Sequence, residues 1–256
     1  MLPTTSCKNN NWLSLTLEAL EYQGVAVVTD VLSEGMRERI RPAMYKARDE
    51  LQREIGVERL QRAREVGVLR VMLDVDPVFP ELLALPEILQ VVDHTLTDTA
   101  ILHLQNGFIL PPAESMGYTV EEAREIFQFS FHRDFRRYLE GYLGCVNTLL
   151  NIDEFRESNG ATVFVPGTHQ LRDKPSRAYL EANAIPAAAP AGSMFVSDAS
   201  VWHGSGLNSS GEDRLAVNHV FTRSYMKQQI DYVRALGSEF ILSLPPRTQQ
   251  LLGWYT

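Results

Sequence analysis

His132 and Asp134 stand two residues apart at the end of the run IFQFSFHRD (126–134). Phe127, Phe129 and Phe131 alternate there with Gln128, Ser130 and His132, the period of a strand with one apolar and one polar face. Continuing the alternation puts Asp134 on the His132 face, where both can reach one ion. Such a polar face must meet water, a ligand or a cavity, because burying it without partners is costly. A His-x-Asp pair is common by chance, so a third ligand is required. Of the six histidines (His94, His103, His132, His169, His203 and His219), His203 ends a short β-like run, VWH, and precedes GSGLNSSGEDR. Arg214 follows eleven residues later and opens the next β-like run. Two histidines and a carboxylate suit the facial set that holds non-haem iron(II) and leaves three positions open. A 2-oxo acid could take two of these and dioxygen the third. Arg214 would match the far carboxylate of that acid through charge-assisted, bidentate contacts. His169, in VPGTH, competes as third ligand, but its neighbours read as a tight turn and give it a structural role. His219 alternates with Asn218 on the last strand and faces away from Arg214. Asn218 shares the Arg214 face, where it either lines the pocket or bonds neighbouring backbone.

These residues need a scaffold, and the chain changes texture near residue 100. Before it, the pattern is helical. Leu13, Leu17 and Leu20 keep helical spacing and Gly24 can close that helix. VAVVT (25–29) is β-like. Ser33 reads as an N-cap for a helix carrying Met36, Ile40, Met44, Ala47, Leu51 and Ile55 on one face. Pro86 opens another helix reaching Leu96. After residue 100 come short β-like runs: AILHLQNGFIL, IFQFSFH, GCVNTLLNI, ATVFV, SMFVSD, VWH and RLAVNHVF. Many short strands divided by turn residues predict a sandwich or barrel. Two long loops, 111–122 and 173–192, are expected where specificity usually lives, and at least one is expected to act as a lid.

The segments FHRD, NGATVFVPGTH and WHGSGLNSSGEDR, in that order, resemble the phytanoyl-CoA dioxygenase family of iron(II)- and 2-oxoglutarate-dependent oxygenases. The resemblance covers roughly residues 100–222, and the HGSG-x-N stretch running to Arg214 is its most specific part. It implies a mainly β fold, a double-stranded β-helix barrel of the jelly-roll, cupin-like type, buttressed by N-terminal helices. It implies His132, Asp134 and His203 as iron ligands, with Arg214 and Ser205 binding the far carboxylate of 2-oxoglutarate. Gln105, in HLQNGFI, and Tyr138, four residues after Asp134, match positions near the co-substrate in relatives such as ectoine hydroxylases. The activity implied is oxidation, by default hydroxylation, of an unactivated C–H bond in a small metabolite of a specialised biosynthetic pathway, using O2 and releasing succinate; desaturation, epoxidation, ring closure and stereoinversion share the same first step and stay open. Two departures stand out. Leu110-Pro111-Pro112 replaces a Lys-Pro-Pro stretch, and the extended ectoine hydroxylase signature after His-x-Asp is missing. Arg133, Arg136 and Arg137 are too few for a surface that docks a CoA thioester.

The rest of the chain narrows the field. One domain is expected over 1–256, with a helical part at about 12–98, the β core at about 100–222 and a helical extension at about 223–256. A formal charge of −8 argues against a nucleic-acid partner. No run approaches the roughly 18 apolar residues of a membrane span. The start, MLPTTSCKNNN, reads as a loose tail with no signal-peptide core. Two cysteines, Cys7 and Cys145, make no disulfide framework and suit a reduced cytosol, so a cytoplasmic enzyme with a small-molecule substrate is expected. Three rival readings remain. A halogenase of this superfamily would carry Ala or Gly in place of Asp134. A barrel that only binds a small molecule would be expected to lose the triad or Arg214. A zinc or manganese enzyme of the cupin type would share the ligands but have no use for Arg214.

Overall fold

The computed structural model describes residues 1–116, 122, 129–135 and 139–255. Its largest element is a seven-stranded sheet, with strands β1 (Thr4–Ser6), β2 (Val25–Thr29), β8 (Met194–Asp198), β5 (Cys145–Asn151), β10 (Arg214–Thr222), β4 (Ile101–Leu110) and β3 (Val68–Arg70) in that spatial order. Facing it is a three-stranded sheet ordered β7 (Ile185–Pro186), β6 (Thr162–Val165) and β9 (Trp202–Ser205). Two facing sheets with helices are consistent with the expected cupin-like fold. Among the described residues no strand pairing closes them into a barrel.

Strict alternation explains the layering. Val28, Met194, Val196, Val146, Leu150, Leu215, Val217 and Phe221 turn outward into a core shared with helices α1 (Trp12–Gln23), α2 (Glu34–Ile55), α4 (Val78–Leu83) and α5 (Pro86–Thr95). Helix α3 (Val57–Ala63) follows α2 directly. Intervening residues Val25, Val27, Phe195 and Ala216 turn inward and meet Phe164 of the small sheet. Leu251 and Leu252, from C-terminal helices at Tyr232–Leu236, Ser238–Ser243 and Pro246–Leu251, join the outer core.

Local signals place the first helices well. Gly24 closes α1 in the left-handed region (φ 75°), its N–H donating to Leu20 O. Ser33 caps α2 by accepting from Met36 N at 3.2 Å. Ile40, Met44 and Ala47 are buried as expected, while Ile55 is exposed. The N-terminal tail departs from expectation. Thr4–Ser6 form β1, parallel to β2, and Leu2 and Thr5 are buried, because β2 would otherwise be an open sheet edge. The 173–192 loop also departs: it contains a helix, Arg177–Asn183, capped by Ser176, and then β7. In the other long loop, residues 117–121 lie outside the described residues; a 3-10 turn spans Ala113–Met116.

Candidate metal centre

His203 lies on β9, and His132 forms an isolated antiparallel bridge directly opposite it. The bridge is closed by His132 N→His203 O at 2.8 Å and His203 N→His132 O at 3.0 Å. Asp134 lies in a bend just beyond it. Residues 129–135 therefore do not form the regular strand expected from IFQFSFH, of which 126–128 are outside the described residues. One bridge is enough to turn both histidines the same way. Their ring centroids are 4.4 Å apart. Asp134 Oδ1 is 3.7 Å from His132 Nε2, and Asp134 Oδ2 is 3.6 Å from His203 Nε2. One donor atom from each of the three lies within 4.8 Å of the others, as a shared ion requires.

The second ring nitrogens are tied to backbone. His132 Nδ1 lies 2.8 Å from Ser130 O, and His203 Nδ1 lies 3.0 Å from Val201 O. Each Nδ1 thus carries the proton, and each Nε2 offers a lone pair to the centre. Asn147 Nδ2 donates to Asp134 Oδ2 at 2.6 Å.

The triad opens into a cavity of about 760 Å³ between the sheets. Arg214, Ser205, Thr162, Asn147, Asn218 and His103 line it, with apolar walls from Leu104, Phe108, Leu149, Phe164 and Val220. Arg214 is buried. Its Nη2 donates to Gly160 O at 3.0 Å, its guanidinium lies 4.1 Å from the Phe155 ring centroid, and its Nε has no partner. Burial lowers its pKa to about 10, and Asp153 offsets part of that effect. Ser205 Oγ donates to Gly206 O at 3.1 Å. Asn218 lines the cavity and its Oδ1 has no partner.

Gln105 is not part of this cavity. Leu104, Asn106, Phe108 and Leu110 line it, so Gln105 projects to the helix side. There its Nε2 lies 3.0 Å from His219 Nε2, and its backbone N–H donates to the Tyr232 hydroxyl. Gln105, expected beside the co-substrate, is placed outside this cavity by the strand register; Asn106 holds the inward position, its Oδ1 accepting from Arg70. Tyr138 lies outside the described residues. His219 faces away from Arg214 as expected, and burial pushes its pKa down to about 3. His169 is not in the ligand cluster, and its Nε2 lies 3.1 Å from Glu21 O.

Sequence reasoning passed over His103 and Asn147. His103 is aimed by a bulge: β4 pairs Leu104 with Val220 and Leu102 with Phe221, leaving His103 as the extra residue. No local pattern announces that. Asn147 did carry a signal, since it is a polar residue alternating inward on the otherwise apolar strand CVNTLLN. Arg133, considered for a docking surface, is buried instead.

A family model described as phytanoyl-CoA dioxygenase (PhyH) matches residues 20–216. Proteins of Mycobacterium bovis and Mycobacterium tuberculosis, each named only as an uncharacterized protein, are 50% identical over 256 residues, covering 100% of this chain and 92% of theirs. Dioxygenase cdmD of Talaromyces verruculosus is 33% identical over 173 residues, covering 64% of this chain and 50% of its own.

Proposed function

The chain belongs to the phytanoyl-CoA dioxygenase family, and on that footing we propose that it is a non-haem iron(II)- and 2-oxoglutarate-dependent oxygenase that hydroxylates an unactivated C–H bond of a small metabolite. One observation carries the reading. The His132–Asp134–His203 cluster and the buried Arg214 line one cavity. A cation costs free energy to bury unless something compensates it, and a ligand carboxylate would do so.

The donor set fits the metal. Two imidazole Nε2 atoms and one carboxylate would hold iron(II) and leave positions open for a bidentate 2-oxo acid and dioxygen. Iron(II) bound there, with those co-substrates, supplies an oxidant able to take hydrogen from an unactivated C–H bond. The chain's own groups do the rest. Ser130 and Val201 carbonyls fix both imidazole tautomers, and Asn147 fixes the Asp134 carboxylate. Arg214, backed by Phe155, would take the far carboxylate of 2-oxoglutarate, with Ser205 beside it on the wall. The apolar part of the wall, from Leu104, Phe108, Leu149, Phe164 and Val220, would seat the reacting carbon. The cavity exceeds what a five-carbon diacid fills, which leaves room for a second small molecule.

The test is reconstitution with iron(II) and 2-oxoglutarate without oxygen, followed by a metabolite screen for succinate release in air. A weak visible charge-transfer band and substrate-stimulated succinate are expected. No band together with no iron binding overturns the reading.

A further inference from the structure

The two residues flanking the ligands on the reverse side of the His132–His203 bridge form a contact of their own. In an antiparallel ribbon, neighbours of a directly opposed pair project from the other face. Here these are Arg133, between the ligands His132 and Asp134, and Trp202, immediately before His203. The Arg133 guanidinium carbon sits 5.0 Å from the centroid of the Trp202 ring, and Lys174 Nζ lies 5.2 Å from it. Arg133 Nη2 donates to Thr168 O at 3.0 Å and to Leu171 O, and Nη1 to Arg172 O at 3.3 Å. Thr168 completes the link: its Oγ1 accepts from Trp202 N at 3.0 Å and donates to Val165 O. Trp202 packs with Val165, Leu180, Phe131 and Ala184, so the Arg177–Asn183 helix supports the same contact from outside.

Arg133 is 7% exposed and Trp202 8%. Placing a guanidinium so deep costs desolvation that an apolar side chain would avoid, and buried charge seldom adds stability over well-packed apolar residues. What it adds is a fixed direction, since a planar fork bonded to three carbonyls and set over a ring face admits few positions. Among the described residues, the backbone of the segment carrying His132 and Asp134 pairs with the His203 strand at a single bridge, with Phe131 packed on Trp202 and Phe135 N donating to Ala199 O at 2.9 Å.

We propose that Arg133 is a positioning residue for the metal centre. Stacked on Trp202 and bonded to the 168–172 turn, it holds the His132–Asp134 segment in register with His203, so that the three ligands converge. The inference rests on the metal-centre reading of the triad. It also makes the start of the 173–192 segment, one of the two loops of which at least one was expected to act as a lid, a brace behind the ligands.

Cobalt(II), which does not oxidise in air and reports its coordination in its visible spectrum, serves as the probe. R133M keeps an apolar stem without the fork, R133K keeps stem and charge without the planar stack, and Ile40→Ala weakens the core on the opposite side of the large sheet. R133M should bind cobalt(II) about tenfold or more weakly, in line with the loss of a group that orients ligands, and with an altered spectrum. R133K should fall between, and Ile40→Ala should melt earlier yet bind as wild type does. Wild-type affinity and spectrum in R133M overturn the proposal; if that variant does not fold, wild-type values in R133K do so. Equal losses in R133M and Ile40→Ala also overturn it, because they reduce the effect to general stability. If the wild-type chain binds neither cobalt(II) nor iron(II), the metal centre itself is refuted and the brace falls with it.

Discussion

Asn147 donates a 2.6 Å hydrogen bond to Asp134 Oδ2, so the carboxylate of the triad is oriented by a residue thirteen positions away on β5. Asn147 Oδ1 has no hydrogen-bond partner, which leaves this bond as the side chain's one hydrogen bond among the described residues. Removing it should free the carboxylate without unfolding the sheet. Asn147→Ala is expected to bind iron(II) about 10–100-fold more weakly. Anaerobic calorimetry measures this directly, and an unchanged affinity would show that Asp134 needs no such support.

Asp134→Gly removes the one anionic member of the triad. Iron content should drop sharply and succinate formation by orders of magnitude, while the fold persists because Asp134 is only partly buried. If Asp134 served merely as a surface ion-pair partner, the change would cost at most about 1 kcal/mol and leave turnover intact. Metal analysis and succinate assay of this variant therefore separate the two roles.

Arg214→Met asks whether the buried cation is kept for a ligand. Burial already works against its charge, lowering its pKa to about 10. Replacing it with an apolar side chain of similar reach should leave the thermal midpoint of the ligand-free protein at or above wild type. Binding of 2-oxoglutarate should weaken by about 2–5 kcal/mol, the scale of losing one partner of a buried charge pair. Calorimetry with 2-oxoglutarate that shows no loss would move the co-substrate pocket elsewhere.

His219 sets an acid limit on stability. Its pKa falls from 6.5 to about 3 through burial alone. Between those values the unfolded chain takes up a proton that the folded chain refuses, so protons favour unfolding. Its contribution to stability is therefore intact above pH 6.5 and declines as pH falls toward 3, at up to about 1.4 kcal/mol per pH unit. His219→Gln, a neutral side chain still able to meet Gln105, should flatten that slope. Urea melts of both proteins between pH 7 and about pH 4.5 would test this, and parallel slopes would refute it.

Much of the centre was legible in the chain. His132, Asp134 and His203 could be picked out because residue type, the strand-period texture after residue 100 and the family-like segments around them all converge. Helix α2 and its cap, the Gly24 stop and strands β2, β4, β5, β8 and β10 followed from local period and capping chemistry, which act within a few residues. The inward-facing Asn147 was readable by the same rule and was passed over.

What the chain alone left undecided was every relation across long sequence separations. Gln105 and Asn106 are adjacent, and which of them meets the cavity depends on the register of β4 against β10, where a one-residue shift exchanges the two faces. The bulge that turns His103 inward belongs to that pairing, not to the residues around it. The polar N-terminal tail becomes a strand because β2 has an edge to cover, which nothing in MLPTTS reveals. At least one of the segments 111–122 and 173–192 is expected as a lid from its length, and the helix of the second packs behind Trp202. Residue spacing fixes which side chains can share a face. Only the folded packing, where distant segments must satisfy each other's buried groups, decides which face looks into the cavity and which packs behind it.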